Sequence, residues 1–446
     1  MIKNGLLLIV LMFLTTAMWA ADTLPPVAPP FSRVIYEPSK TPGELVYGVS
    51  YTIWIPPNVK TLRGVIVHQH GCGEGACHAG ETAAFDLHWQ ALAIKHQCAL
   101  LGPSYQQPEK ESCELWCDPR YGSGKKFLQA LDDLAKQSGH PEITTVPWAL
   151  WGHSGGAKWV GTMLMLHPDR TAAVFLRSGL PAITPGKESK LPALEIPKAA
   201  YSVPIMCNLG TREGVTVKDQ RFGGLWDRVR PFFLEMRSHG ALIGVTADPN
   251  SSHDCGNSRY IAIPWFDSIL TARLPEKSGD ALKAMPTQDA WLVTLLDPSP
   301  SPASKYVGDL KSSIWLPNAT IANIYREYVT IGDVKDQTPP PAPTDLKISD
   351  AGELSWNAMA DLESGLAGFV VERDGKTIAE LPPKKVGNVG RKVFQNIGYS
   401  DTPAKPLVEM RFTDPTDGTG QKHVYKVISI NGVGLKSTAS NEAVKK

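Results

Sequence analysis

No block of basic residues occurs anywhere in this chain of 446 residues. Lysine and arginine number 45 against 44 aspartates and glutamates, a formal net charge of +1. The electrostatic footprint of a nucleic-acid or anionic-membrane binder is missing, so neither is expected as a partner. Long apolar runs are scarce as well. One, Leu6 to Leu14, follows Lys3 and precedes the small residues Ala17, Ala20 and Ala21. It is too short to span a bilayer comfortably, and no second run of ~20 apolar residues follows it. Its layout is that of a signal peptide over residues 1–21, cut after Ala20 or Ala21. Met18 or Trp19 would then sit three places before the cut, a poor fit that leaves a retained N-terminal anchor open. No cysteine stands at the cut, which argues against a bacterial lipoprotein. The expectation is a secreted or periplasmic protein with no transmembrane span beyond the signal peptide.

Cysteines are few but informative in an exported chain. There are seven, and an odd number leaves one thiol free in a monomer. Cys98 lies in the apolar stretch Cys98-Ala-Leu-Leu101 and is expected to be that buried thiol. Cys72, Cys77, Cys113, Cys117, Cys207 and Cys255 lie in or beside loops and are expected to form three bridges of undetermined connectivity. Zinc is the competing reading of Cys113-x-x-x-Cys117 with the nearby histidines. Neither a metal nor a cofactor is expected.

Apolar residues make up 42% of the chain and charged residues 20%, which is ordinary for a soluble globular protein. The length suits two or three domains. Leu45 to Ile55 alternates apolar and polar residues and reads as an antiparallel edge strand. Short apolar runs at 64–68, 99–101, 148–151, 173–176, 205–209 and 242–246 read as buried parallel strands. Amphipathic stretches separate them, notably 125–138 with Phe127, Leu128, Leu131 and Leu134 on one face. Strands alternating with helices give an α/β domain with a mostly parallel sheet over residues 22–274. Residues 275–337 are Pro-rich, with a helix expected from Ala319 to Val329, and read as a segment packed on that domain. After the stiff run Thr338 to Pro343 the pattern changes to short alternating strands, an all-β sandwich over 338–446.

The stretch that organises the chain is Trp148 to Lys158. It reads as a buried strand, a tight turn and a helix, with Gly152-x-Ser154-x-Gly156 at the turn. That is the pattern of a nucleophile elbow, where a strained turn presents the serine hydroxyl to a cleft and tolerates only small neighbours. Gly155, the next residue, offers its N–H to a developing oxyanion. A serine nucleophile needs a base oriented by an acid. His253 lies in the polar loop after the last strand and is the candidate base. Glu213 follows the preceding strand and is the candidate acid, with Asp219 as the alternative.

Residues 45–273 resemble the α/β-hydrolase superfamily. The elbow carries the resemblance, with the chain order Ser154, Glu213, His253 and the run His70-Gly71-Cys72-Gly73, which resembles the HGGG-type loop of esterases and lipases. The resemblance implies that Cys72 or Gly73 donates a backbone N–H to the oxyanion together with Gly155. Metal ligation by His68, His70 and His78 is the other reading of that stretch. With the export signal, the H-G-C loop is similar to secreted esterases of the feruloyl-esterase and polyhydroxyalkanoate-depolymerase type, although these often carry Asp as the acid. Trp356, Tyr425 and Asn431-Gly-Val-Gly434 resemble a fibronectin type III domain, in which the two aromatics are core residues and 382–415 is enlarged.

The function expected is a secreted serine hydrolase cleaving carboxylic esters through an acyl-enzyme, on small, polysaccharide-linked or polyester substrates. Residues 104–123 and 275–335 are the expected cleft walls. A prolyl-type peptidase of the same fold, or an adhesion protein reusing it, are the alternatives.

Overall fold

The computed structural model describes residues 26–183, 189–218, 220–249, 251–383, 394–406, 410–415 and 422–445. The expected signal peptide and Asp219 lie outside the described residues.

The apolar runs form strands. β1 (Phe31–Tyr36), β2 (Val49–Trp54), β3 (Gly64–Gln69), β4 (Cys98–Tyr105), β5 (Trp148–His153), β6 (Thr171–Arg177), β7 (Ile205–Gly210) and β8 (Ile243–Asp248) make one eight-stranded sheet. Its order is β1-β2-β4-β3-β5-β6-β7-β8. From β4 through β3 to β8 every pairing is parallel, while β1 and β2 run antiparallel at one end. Every residue of β3 to β7 is buried, as expected of strands covered by helices on both faces. This is the α/β-hydrolase fold.

β2 is not the edge strand its alternation suggested. β1 pairs along its whole length, and all six β2 residues are buried. The polar alternation persists because Arg33 of β1 donates to Thr52 across the pair, at 2.8 Å. The Thr52 and Tyr51 hydroxyls of β2 meet side chains of β1 and β4 rather than water.

The helices are α1 (Glu74–Ala79), α2 (Leu87–His96), α3 (Glu114–Cys117), α4 (Ser123–Ser138), α5 (Gly155–Leu166), α6 (Trp226–Ser238), α7 (Arg259–Arg273) and α8 (Ala319–Ile331). α2 starts where the Asp86 carboxylate accepts the N–H groups of His88 and Trp89, filling two donors that the first turn leaves open. α4 buries Phe127, Ala130, Leu131 and Leu134, one stripe at helical spacing, and ends at Gly139 with φ 76°. Among the described residues no helix is long and apolar enough to cross a membrane.

Residues 275–337 hold a small antiparallel sheet of β9 (Trp291–Thr294), β10 (Ser301–Pro302) and β11 (Ser313–Leu316), followed by α8. Ile314, Leu316, Tyr325 and Tyr328 join the main core. Asn208 of β7 donates to the Tyr328 hydroxyl at 3.2 Å, tying α8 to the central sheet.

Two further antiparallel sheets follow. One is ordered β12 (Thr344–Ile348), β13 (Glu353–Asn357), β16 (Arg411–Thr413). The other runs β15 (Lys376–Leu381), β14 (Leu366–Arg373), β17 (Val424–Asn431), β18 (Ala443–Val444). Trp356, Phe369 and Tyr425 are buried between them. This second core also takes in Leu87 and Ala91 of α2, so the β-sandwich shares apolar surface with the hydrolase fold.

The cysteine expectation needs correction. Among the described residues one bridge forms, Cys72–Cys113. Cys77, Cys117, Cys207 and Cys255 are buried thiols, as Cys98 is. Their surroundings give the reason. Cys207 lies inside β7, Cys77 in α1 and Cys117 at the end of α3, and all four pack as small apolar side chains. The bond to Cys72 also occupies the Cys113 sulfur that the zinc reading required.

Phe369 is fully buried and packs edge-on against both Trp356 and Phe394. Phe369→Ala is expected to destabilise the sandwich by about 3–5 kcal/mol through the cavity it leaves. Urea unfolding measures this, and a loss under about 1 kcal/mol would contradict the packing described.

Candidate active site

Ser154 sits where β5 ends and α5 begins, with φ 55° and ψ −117°. A non-glycine residue at positive φ is strained, and here the neighbours hold it. A Cβ on Gly152 would lie 2.4 Å from the Gly156 carbonyl oxygen, and one on Gly156 would lie 2.3 Å from that of His70. Both glycines are required by close backbone approach. The Ser154 N–H donates to the Arg177 carbonyl at 2.8 Å, which fixes the turn to the end of β6.

The predicted acid and base meet this serine. His253 Nε2 lies 2.8 Å from Ser154 Oγ, and His253 Nδ1 donates to Glu213 Oε1 at 2.6 Å. That assignment leaves Nε2 as the acceptor for the serine proton. Glu213 has no solvent exposure. Its other oxygen accepts from Ser178 Oγ at 2.7 Å and from the Gly210 N–H at 2.8 Å. The carboxylate is thus fixed by donors from the ends of β6 and β7 before it meets the imidazole.

The backbone of the base loop is held as firmly as its side chain. Arg177, the last residue of β6, is buried and donates to the carbonyls of Ser252 and Asp254 and to Asn208 Oδ1. The Glu213 and Asp248 carboxylates keep its guanidinium charged despite burial. His153 Nε2 donates to the His253 carbonyl at 2.7 Å, and burial pushes the His153 imidazole well towards its neutral form. The Tyr399 hydroxyl, from the β-sandwich, donates to the same carbonyl at 2.8 Å.

The loop Gly71 to Gly73 lies beside the serine. A Cβ on Gly71 would be 3.4 Å from Ser154 Cβ, and one on Gly155 would be 2.0 Å from Cys72 Sγ. The Cys72–Cys113 bridge therefore packs on Gly155 and ties this loop to α3. The N–H groups of Cys72 and Gly155 donate to no other group among the described residues, which leaves them available to an oxyanion. Gly73, at φ 97°, aims its N–H at Gln107 Oε1 across 3.5 Å. Of the two alternatives Cys72 and Gly73, the freer amide is that of Cys72.

The histidines of that stretch are engaged separately. His70 Nδ1 donates to the Gly71 carbonyl at 2.6 Å and its Nε2 accepts the Tyr105 N–H at 3.0 Å. Burial lowers the His70 pKa to about 4, so the ring stays neutral as a strut of the loop. His68 stacks on Trp151 within the core. His78 pairs with Glu81 on the surface at 3.1 Å.

A cleft of about 860 Å³ opens over Ser154 and His253. Leu180, Ile183, Leu225 and Phe232 give it an apolar side. Lys158 faces Glu114 at 2.6 Å on another wall. Phe222 stacks on the His253 ring, with centroids 3.5 Å apart and planes 4° apart. Of the two expected walls, 104–123 contributes Glu114 and 275–335 contributes nothing to this lining. The second packs elsewhere, with β11 against β8 and α8 against α7. α6 takes its place at the cleft.

Sequence reasoning missed Arg177, Phe222, His153 and Tyr399. Arg177 did leave a trace, as a charged residue closing an otherwise apolar strand. Tyr399 left none, because only the docking of the β-sandwich brings it here.

No protein-family model matches the chain, and no curated protein matches it. Solved structures similar to it include a thermostable esterase, at 17% identity over 50% of this chain with a TM-score of 0.34. The match spans 55% of that esterase's length. A ferulic acid esterase is similar at 19% identity over 50% of this chain and 92% of its own, with a TM-score of 0.35. An Fn3-like protein from Clostridium thermocellum is similar at 22% identity over 24% of this chain and 94% of its own, with a TM-score of 0.16.

Burial lowers His68, His70 and His88 to about 4, and lowers His153 well below its ordinary value. Below the unfolded-chain value of about 6.5 the unfolded state takes up protons that these buried rings refuse. Stability is therefore complete above that pH and falls as pH drops towards 4, with a slope of about 1.4 kcal/mol per pH unit for each histidine. Melting temperatures recorded across this window are expected to fall on the acid side, and a flat profile would refute the burial described.

Proposed function

We propose that this chain is an exported serine esterase that cleaves carboxylic esters through an acyl-enzyme intermediate. One observation carries the proposal: the unbroken relay Ser154–His253–Glu213, at 2.8 Å and 2.6 Å, with the serine on a strained elbow. The sequence pattern of residues 1–21 and the Cys72–Cys113 bridge support export.

The geometry supports the following chemistry. Ser154 Oγ attacks the ester carbonyl carbon while its proton passes to His253 Nε2. Glu213 holds the Nδ1 proton and balances the imidazolium. Negative charge gathers on the carbonyl oxygen, where the amides of Gly155 and Cys72 receive it. The alcohol leaves with the proton from Nε2, and the serine remains acylated. Water then attacks the acyl carbon while His253 Nε2 takes its proton; the bond to Ser154 Oγ breaks, that oxygen regains the proton from Nε2, and the carboxylic acid leaves.

The cleft favours an ester with a bulky acyl or alcohol group. Its volume is in the range that holds a drug-sized ligand, and its apolar side lies beside a paired lysine and glutamate. Esters linked to polysaccharides and polyesters suit an open cleft of this kind on an exported protein.

Ser154→Ala is expected to abolish hydrolysis of p-nitrophenyl esters and labelling by a fluorophosphonate probe, with the melting temperature preserved. Glu213→Gln is expected to lower kcat by roughly 10²–10⁴, as loss of the orienting acid does elsewhere. Turnover retained in Ser154→Ala would overturn the proposal. A panel of acetyl, feruloyl and polyester substrates sorts the substrate classes, and p-nitrophenyl acetate outperforming every bulkier ester would contradict the role given to the cleft.

A further inference from the structure

Among the described residues, the β-sandwich reaches the Ser154–His253 site through the segment 394–404. Four of its residues matter. The Tyr399 hydroxyl donates to the His253 carbonyl at 2.8 Å, and its ring packs edge-on against His153 with centroids 4.9 Å apart. Ser400 Oγ accepts the N–H of Gly71, the residue that packs on Ser154 Cβ, at 3.1 Å. Asp401 pairs with Arg259, the first residue of α7, the helix that the His253 loop runs into. Gln395 accepts the Leu87 N–H at 2.9 Å and donates to the Phe85 carbonyl at 2.7 Å.

Tyr399 is 48% exposed, while the other contacts are built into the interior. Ser400 and Asp401 have no solvent exposure, and Arg259 is 2% exposed. The Arg259 guanidinium is shared between Asp401 of the sandwich and Asp86, the cap of α2, at 2.8 Å. Asp86 and Arg259 both belong to the hydrolase unit, so the ion pair that crosses between the units is the one to Asp401, and separating them would take the Asp401 carboxylate from its buried cation. A mere tether between domains needs no such arrangement. The contacts also fall on two distinct parts of the site, the loop that carries the base and the loop that faces the oxyanion.

We infer that segment 394–404 is a positioning element of the ester-cleaving site, Tyr399 bracing the backbone of His253 and Ser400 bracing Gly71 of the oxyanion loop; this rests on the esterase proposal above. Neither residue touches the reacting atoms in this scheme. Each fixes the main chain from which a reacting or stabilising group projects. A displacement of about 1 Å in such a group costs on the order of 10²-fold in rate.

The test uses the full chain. Tyr399→Phe keeps the ring against His153 and removes only the donor to the His253 carbonyl. Ser400→Ala removes only the acceptor for the Gly71 N–H. Both are expected to lower kcat for a p-nitrophenyl ester by about one to two powers of ten with KM within about twofold, since the cleft walls are untouched. Ser400→Thr keeps the acceptor and is expected to restore most of the rate. Hydrogen–deuterium exchange is expected to quicken at 251–257 in Tyr399→Phe and at 70–73 in Ser400→Ala. Unchanged kcat together with unchanged exchange at those two loops overturns the inference. If the wild-type chain neither turns over esters nor takes up the fluorophosphonate, the esterase proposal fails, and the exchange measurement still decides whether the segment braces the two loops.

Discussion

A carboxylate with no access to water is costly unless its surroundings supply donors, and Glu213 is held by three. Ser178 Oγ, the Gly210 N–H and His253 Nδ1 all converge on it. Each comes from the carboxyl end of a different strand: β6, β7 and the loop after β8. The buried charge therefore gathers three neighbouring strand ends to one point, and the sheet's parallel register makes that possible. Open α/β sheets place their ligand sites at those ends because the loops there converge while the strands beneath stay rigid. Here the converging element is one acidic side chain, and removing any donor leaves part of its charge unmet.

A second buried charge does the same for the backbone. Arg177 stands at the end of β6 and collects the carbonyls of Ser252 and Asp254, so the loop carrying His253 cannot drift from the sheet. His153 adds a bond to the carbonyl of His253 itself. The imidazole is thus placed by the main chain on which it is mounted, by Glu213 on one edge and by the Phe222 ring on one face. Rigid placement of this kind is what lets a weak nucleophile such as a serine hydroxyl react.

Much of this was legible in the sequence. Gly152 and Gly156 announced the elbow because no larger residue fits their contacts, and apolar runs announced the parallel strands because both faces are covered. Glu213 and His253 could be placed by their positions after β7 and β8, since the topology brings the loops after adjacent strands together. The cysteines could not be sorted, because closeness to a loop in sequence says little about burial. Cys207 counts among the expected loop cysteines although it stands inside the run 205–209, and it lies within a central strand. Nor could the sequence place α6 at the cleft or Tyr399 beside His253. Both depend on how finished units pack, and no local pattern encodes that.

The bond between the Gly71 N–H and Ser400 Oγ joins residues 329 positions apart. A ribosome makes the chain from its N-terminal end, and early segments fold first. The sheet, the elbow and the Glu213 pocket can all form before residue 400 has been made. The segment that holds Ser400 is made later, and its bond to Gly71 closes a loop of 329 positions. The contacts of Tyr399 and Ser400 with the loops at 253 and 71 are thus made later than the core of the eight-stranded sheet. Ser154, Glu213 and His253 all precede residue 399 in the chain, so the segment that touches the His253 carbonyl is made after the three residues themselves.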